Sequence, residues 1–96
     1  MLTFNYNQAI GLVNELNSIA NDINSLKNRL AGITSDLRSG WQGNPAQQFF
    51  NKCNDLQNLL QKETNNIKNV ATSLRNTAVT IDNAEKEAIR LLTANL

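Results

Sequence analysis

The stretch Ser39-Gly40-Trp41-Gln42-Gly43-Asn44-Pro45 decides the fold, because it gathers two glycines, the proline and the tryptophan near the middle of a 96-residue chain. Long runs of apolar residues with helical spacing lie on both sides of it. Gly40 is the expected left-handed residue after the first helix, and Asn44, followed by Gln47, is the expected cap of the second. So short a connection forces two helices to pack antiparallel. We therefore predict an all-α helical hairpin.

The whole chain, 1–96, is expected to be one domain with helices at about 6–39 and 45–92 and the bend at 40–44. Asn5, followed by Gln8, resembles a capping box that starts the first helix, with Thr3 as a competing cap. On both helices, apolar residues recur at steps of three and four, which places them on one heptad seam. In the first helix the seam comprises Leu12, Leu16, Ile19, Ile23, Leu26, Leu30, Ile33 and Leu37, and in the second Phe49, Cys53, Leu56, Leu60, Ile67, Val70, Leu74, Ile81, Ala84, Ala88 and Leu91.

The apolar stripe is wider than a two-helix hairpin needs, which indicates a further helical partner. Two hairpins packed face to face would form a four-helix bundle, with either an identical or a different second chain. Glu63 occupies one slot of the second helix's seam. It either sets the register of the pairing or lies at the seam's edge with its carboxylate in water.

The first helix is the shorter one, so at a rise of 1.5 Å per residue it covers the second only to about position 78. The segment from Val79 to Leu92 is therefore expected to project beyond it while keeping its apolar spacing. This overhang is either a recognition element or a plain continuation of the coiled coil.

The composition excludes several function classes. Nine basic and eight acidic residues give a net charge of +1, which does not favour nucleic acid or an anionic membrane. No histidine is available as a base, the acidic residues are scattered over outward positions, and the one cysteine cannot form a multi-cysteine metal cluster, so we expect neither an enzyme nor a cofactor. No apolar run approaches the roughly 20 residues of a membrane span, and we expect no cleaved signal peptide.

Trp41-Gln42-Gly43 at a central bend, extended by Ala46 and Phe49, resembles the WXG superfamily of small type VII (ESX) secretion substrates. The resemblance implies a hairpin that dimerises, is exported folded and acts by binding, in virulence or interbacterial competition. It also implies a C-terminal export pattern, which Ile81, Glu85, Ala88 and Leu92 fit. Trp41 and Gly43 of one subunit and this pattern of its partner would form a composite signal, read by the membrane-bound secretion ATPase.

The chain differs from ordinary members in its asparagine content and near-neutral charge. Such divergence would suit a helper that binds the N-terminal helical region of an LXG-type toxin. We rank a homodimeric substrate, cytoplasmic before export and extracellular after it, slightly ahead of that helper. A cytoplasmic coiled-coil adaptor is a third alternative.

Overall fold

Two long helices make up the fold. The structure, a computed structural model, describes residues 4–95. In this range the chain forms α1 (Tyr6–Arg38) and α2 (Asn44–Ala94) and no strand. The helices pack against each other as a hairpin, a rod with extents of 80 × 17 × 15 Å. The predicted all-α hairpin is confirmed, and its pairing into a four-helix bundle stays a prediction.

The start of α1 follows the predicted cap. The side-chain oxygen of Asn5 accepts a hydrogen bond of 3.0 Å from the backbone N–H of Gln8, which is one of the four amides without a partner inside the helix. The competing cap, Thr3, lies outside the described residues. The local pattern of a short polar residue before the apolar run is therefore sufficient to place this helix end.

The bend between the helices differs from the prediction in two details. Gly40 is not left-handed: the N–H groups of Gly40 and Trp41 both bond to the carbonyl of Leu37, at 3.2 and 2.9 Å, and so close α1 without such a residue. The chain reverses instead at Gly43, which has a φ of 111° and a ψ of 175°. Gly43 takes the N-cap position, so Asn44 lies within the first turn of α2 and its side chain does not cap the helix.

The contact between α1 and α2 is built mainly from small side chains. The Thr34 and Thr64 hydroxyls donate to the carbonyls of Leu30 and Leu60 within their own helices, at 2.7 and 2.9 Å. This satisfies the hydroxyls and allows the two helices to approach closely. The buried residues are Val13, Ala20, Thr34, Ala46, Phe50, Cys53, Thr64, Ala71 and Ala78.

The far end of α2 is covered further than predicted. The N–H of Phe4 donates a hydrogen bond of 2.9 Å to the carboxylate of Glu85, which is half-buried. Two effects lengthen the part of α2 that the N-terminal half of the chain covers. Arg38, at the end of α1, lies against Phe50 rather than Pro45, so α1 is displaced along α2. Before α1, Asn5 is extended and therefore has a longer rise per residue than a helical residue. The prediction that the free segment begins at Val79 is therefore wrong, and it begins after Glu85.

Candidate functional site

An aromatic cluster forms the closed tip of the hairpin. The ring centroid of Trp41 lies 5.4 Å from that of Phe49 and 5.7 Å from that of Phe50, in tilted and edge-to-face orientations. The guanidinium of Arg38 lies 4.9 Å from the centroid of Phe50, within the range of a cation–π contact. Trp41 thus stabilises the tip by packing, while 40% of its surface stays exposed.

The sequence indicated Trp41 and Phe49, but the closed cluster of three rings depends on the bend. Phe50 follows Phe49 directly and is buried, whereas Phe49 is 44% exposed. Because consecutive helical residues point about 100° apart, one ring faces α1 and the other faces outward. The conformation of Gly43 returns the chain so that Trp41 lies over both of them.

The predicted C-terminal pattern lies at the other end of the rod. Ile81, Glu85, Ala88 and Leu92 follow at steps of four, three and four, and so share one side of α2. Glu85 is held by the Phe4 amide, whereas Leu92 is 67% exposed on the part of α2 beyond that contact. Sequence reasoning did not identify Phe4, because its partner is 81 residues away in the chain.

Two ion pairs lie beside this pattern on α2. Lys86 contacts Asp82 at 2.9 Å, and Arg90 contacts Glu87 at 2.7 Å. The hydrogen bond from Lys86 to Asp82 raises the pKa of the lysine, and the bond from Arg90 lowers the pKa of Glu87. Glu85 belongs to neither pair, since its carboxylate bonds to the Phe4 backbone instead.

The large side chains of the predicted seam lie beside the contact between the helices rather than in it. The contact line of α1 is the row of buried residues Val13, Ala20 and Thr34. A large apolar residue comes directly before each of them in the chain, namely Leu12, Ile19 and Ile33. On α2, Val70 likewise comes directly before buried Ala71. One residue corresponds to a rotation of about 100°. Because the two helices run in opposite directions, the same rotation on each brings both stripes to the same side of the hairpin.

Together these stripes form one continuous surface, which we call the apolar face. Its members are half-buried or exposed in the hairpin, and Ile33 and Val70 remain 55% and 52% exposed. Asparagines dominate the opposite side, and at the contact between the helices Lys27 donates a hydrogen bond to Gln61 of α2. The apolar face comprises Leu12, Leu16, Ile19, Ile23, Leu26, Leu30, Ile33 and Leu37 of α1 and Phe49, Leu56, Leu60, Ile67, Val70, Leu74 and Ile81 of α2.

Among residues 4–95, no group of three or more histidine, cysteine or acidic side chains is placed to hold a metal ion. Cys53 is buried, with its surface 7% exposed, at the contact with α1. Within residues 4–95, neither helix has the length and apolar character needed to cross a membrane.

The sequence matches the model of the family WXG100, described as proteins of 100 residues with WXG, over residues 4–86. The matched range includes α1, the bend with Trp41 and Gly43, and α2 as far as Lys86. No curated protein and no solved structure gives a significant match. The family match covers most of the chain.

Proposed function

Because the chain belongs to the WXG100 family of small secreted helical proteins, we propose that it is a type VII secretion substrate, exported folded and paired, that acts by binding other proteins. Members of this family are not enzymes, and they typically form dimers of helical hairpins. The proposed partner in this dimer is a second helical hairpin.

The observation that carries this proposal is the apolar face. A hairpin that buries alanines and threonines inside and leaves leucines, isoleucines and valines outside lacks a cover for its largest apolar side chains. Burial of apolar surface is the main favourable term in association. A second hairpin packed on the same face would complete a four-helix bundle, an arrangement that the heptad spacing of both stripes supports.

The positions of Trp41 and Glu85 support a composite export signal made of two halves. Trp41 lies at the tip, and Glu85 lies near the open end, about 60 Å away along α2 at 1.5 Å per residue. One chain cannot bring them together. In a pair whose tips point in opposite directions, the tip of one hairpin lies beside the C-terminal segment of the other. The secretion ATPase would then recognise a surface that exists only in the folded pair.

Export is tested by expressing the tagged protein in a host with a working type VII system and comparing the culture medium with the cells. Trp41→Ala and Glu85→Ala should each reduce the secreted amount, with helix content by circular dichroism unchanged. Asp22→Ala, which removes an exposed acid from α1, is the matched control and should be secreted normally. Wild-type protein that stays in the cells, both alone and co-expressed with the toxin region, would refute export and favour the cytoplasmic adaptor. Normal secretion of both test variants would refute the composite signal.

A second candidate function is that of a helper for an LXG-type toxin. The apolar face favours it equally, because the N-terminal helical region of such a toxin could supply the other half of the bundle. Co-expression with the toxin region and copurification distinguish the two roles. A helper forms a stable complex of two different chains and is exported only with the toxin, whereas an independent substrate is exported alone.

A further inference from the structure

Glu63 interrupts the apolar face at its centre. It lies one heptad after Leu56 and one heptad before Val70, both exposed apolar residues of the same row. It precedes buried Thr64 by one residue, just as Val70 precedes Ala71, so it points to the same side of the hairpin as they do. Its side chain is exposed in the single hairpin and would become buried in the proposed pair.

The apolar face itself carries no cation that could neutralise Glu63. All nine lysines and arginines lie within the described residues, and none occupies a position of either stripe. Lys27, the basic residue at the contact between the helices, is bonded to Gln61, which lies on the asparagine-rich side. A second copy of this chain therefore offers an apolar surface to Glu63, without an opposite charge.

The pairing geometry makes this mismatch worse for a second copy. The part of α2 that α1 covers runs from the bend to Glu85, which the Phe4 amide contacts, so Glu63 lies within about two residues of its middle. If two identical faces overlap fully with opposite tips, α2 faces α2 across a twofold axis near this midpoint. The two Glu63 carboxylates then come within about 6 Å of each other along the helix direction. Like charges in an apolar interface oppose association.

On this basis we propose that Glu63 selects a partner hairpin that carries a lysine or arginine opposite it, in preference to a second copy of this chain. The inference rests on the proposed pairing through the apolar face. A single polar or charged group in an otherwise apolar seam commonly fixes register and partner in this way, because the wrong pairing leaves it without a partner. In the correct pair, the lysine or arginine of the partner attracts Glu63. The homodimer has no such cation, so it is disfavoured.

The test measures self-association of the purified chain by sedimentation equilibrium and mixed pairing by native mass spectrometry. Glu63→Gln removes the charge and should lower the homodimer Kd by on the order of tenfold or more. Glu63→Lys serves as the probe partner: alone it should associate as weakly as wild type, but mixed with wild type it should form a 1:1 pair at least about tenfold more tightly than either chain pairs with itself. Asp55→Asn removes a charge from the same helix outside the apolar face and should change nothing.

Two results would count against the proposal in different ways. Wild type that self-associates as tightly as Glu63→Gln, with no preference for the mixed pair, would overturn the role of Glu63 and leave pairing through the face intact. If neither the variants nor the mixture associate while circular dichroism shows intact helices, pairing through this face is wrong. In that case the proposed function fails together with the inference.

Discussion

Gly43→Ala should destabilise the hairpin by about 1–3 kcal/mol, because the backbone at this position is essentially accessible only to glycine. Gly43 has a φ of 111° and a ψ of 175° and is the point at which the chain enters α2. An added Cβ would meet Pro45 Cδ at 3.9 Å, which is an ordinary van der Waals distance. The expected loss is therefore one of backbone conformation rather than of steric contact.

Gly32→Ala is the matched control and should have the opposite sign. Gly32 lies within α1, and an added Cβ would find no atom within 4 Å. Alanine there lowers the entropy of the unfolded chain and improves helix propensity, so the free energy of unfolding should rise by about 0.5–1 kcal/mol. The two variants make the same chemical change with opposite expected outcomes.

Urea denaturation followed by circular dichroism measures both effects, provided that all chains are compared at one protein concentration. A Gly43→Ala variant as stable as wild type would show that the bend does not need a left-handed residue at this position. Equal losses at both sites would show that alanine disturbs the hairpin generally. Either result refutes the idea that backbone conformation is what requires the glycine of the Trp-x-Gly motif.

Trp41→Ala should lower the free energy of unfolding by about 1–3 kcal/mol, since it removes two aromatic contacts of about 0.5–1.5 kcal/mol each; an unchanged urea midpoint would contradict this packing role. Glu85→Gln keeps an oxygen that can accept the Phe4 N–H and Glu85→Ala does not, so hydrogen exchange by NMR should show a protected Phe4 amide in the first variant and loss of protection in the second. An equimolar mixture of wild type and Glu63→Lys should have an unfolding midpoint that rises with protein concentration, because pairing through the apolar face favours the folded chain by mass action. A midpoint independent of concentration would argue against that pairing.

Local signals in the sequence were enough to locate the hairpin and much of its tip. Asn5 and Gln8 marked the start of α1 because capping involves residues three apart. The bend was harder to resolve, since the prediction placed the left-handed glycine at Gly40, whereas the positive φ is found at Gly43. The bonds of the Gly40 and Trp41 amides to Leu37 decide between them, and they depend on how the chain turns.

Register across the hairpin could not be read from the sequence for a related reason. Counting residues from Pro45 assumes that α1 ends beside the first turn of α2. The structure instead places Arg38 against Phe50, because the Trp41 ring and the bend occupy the tip. This offset of a few residues brings Phe4 to Glu85 and leaves a shorter free end on α2.

The heptad pattern identified a stripe, but a stripe does not specify what covers it. Small residues that directly follow members of the stripe in the chain, such as Ala20 and Ala71, fill the contact between α1 and α2. The large residues of the stripe therefore lie outside that contact. Burying the exposed half of each large side chain contributes on the order of 1 kcal/mol. In a lone hairpin, about 5 kcal/mol of burial free energy is therefore not realised at five exposed side chains of α1, which are Leu12, Ile19, Leu26, Ile33 and Leu37. A domain has a total stability of only about 5–15 kcal/mol, so the proposed second hairpin, packed on this face, would contribute a large fraction of the stability of the fold.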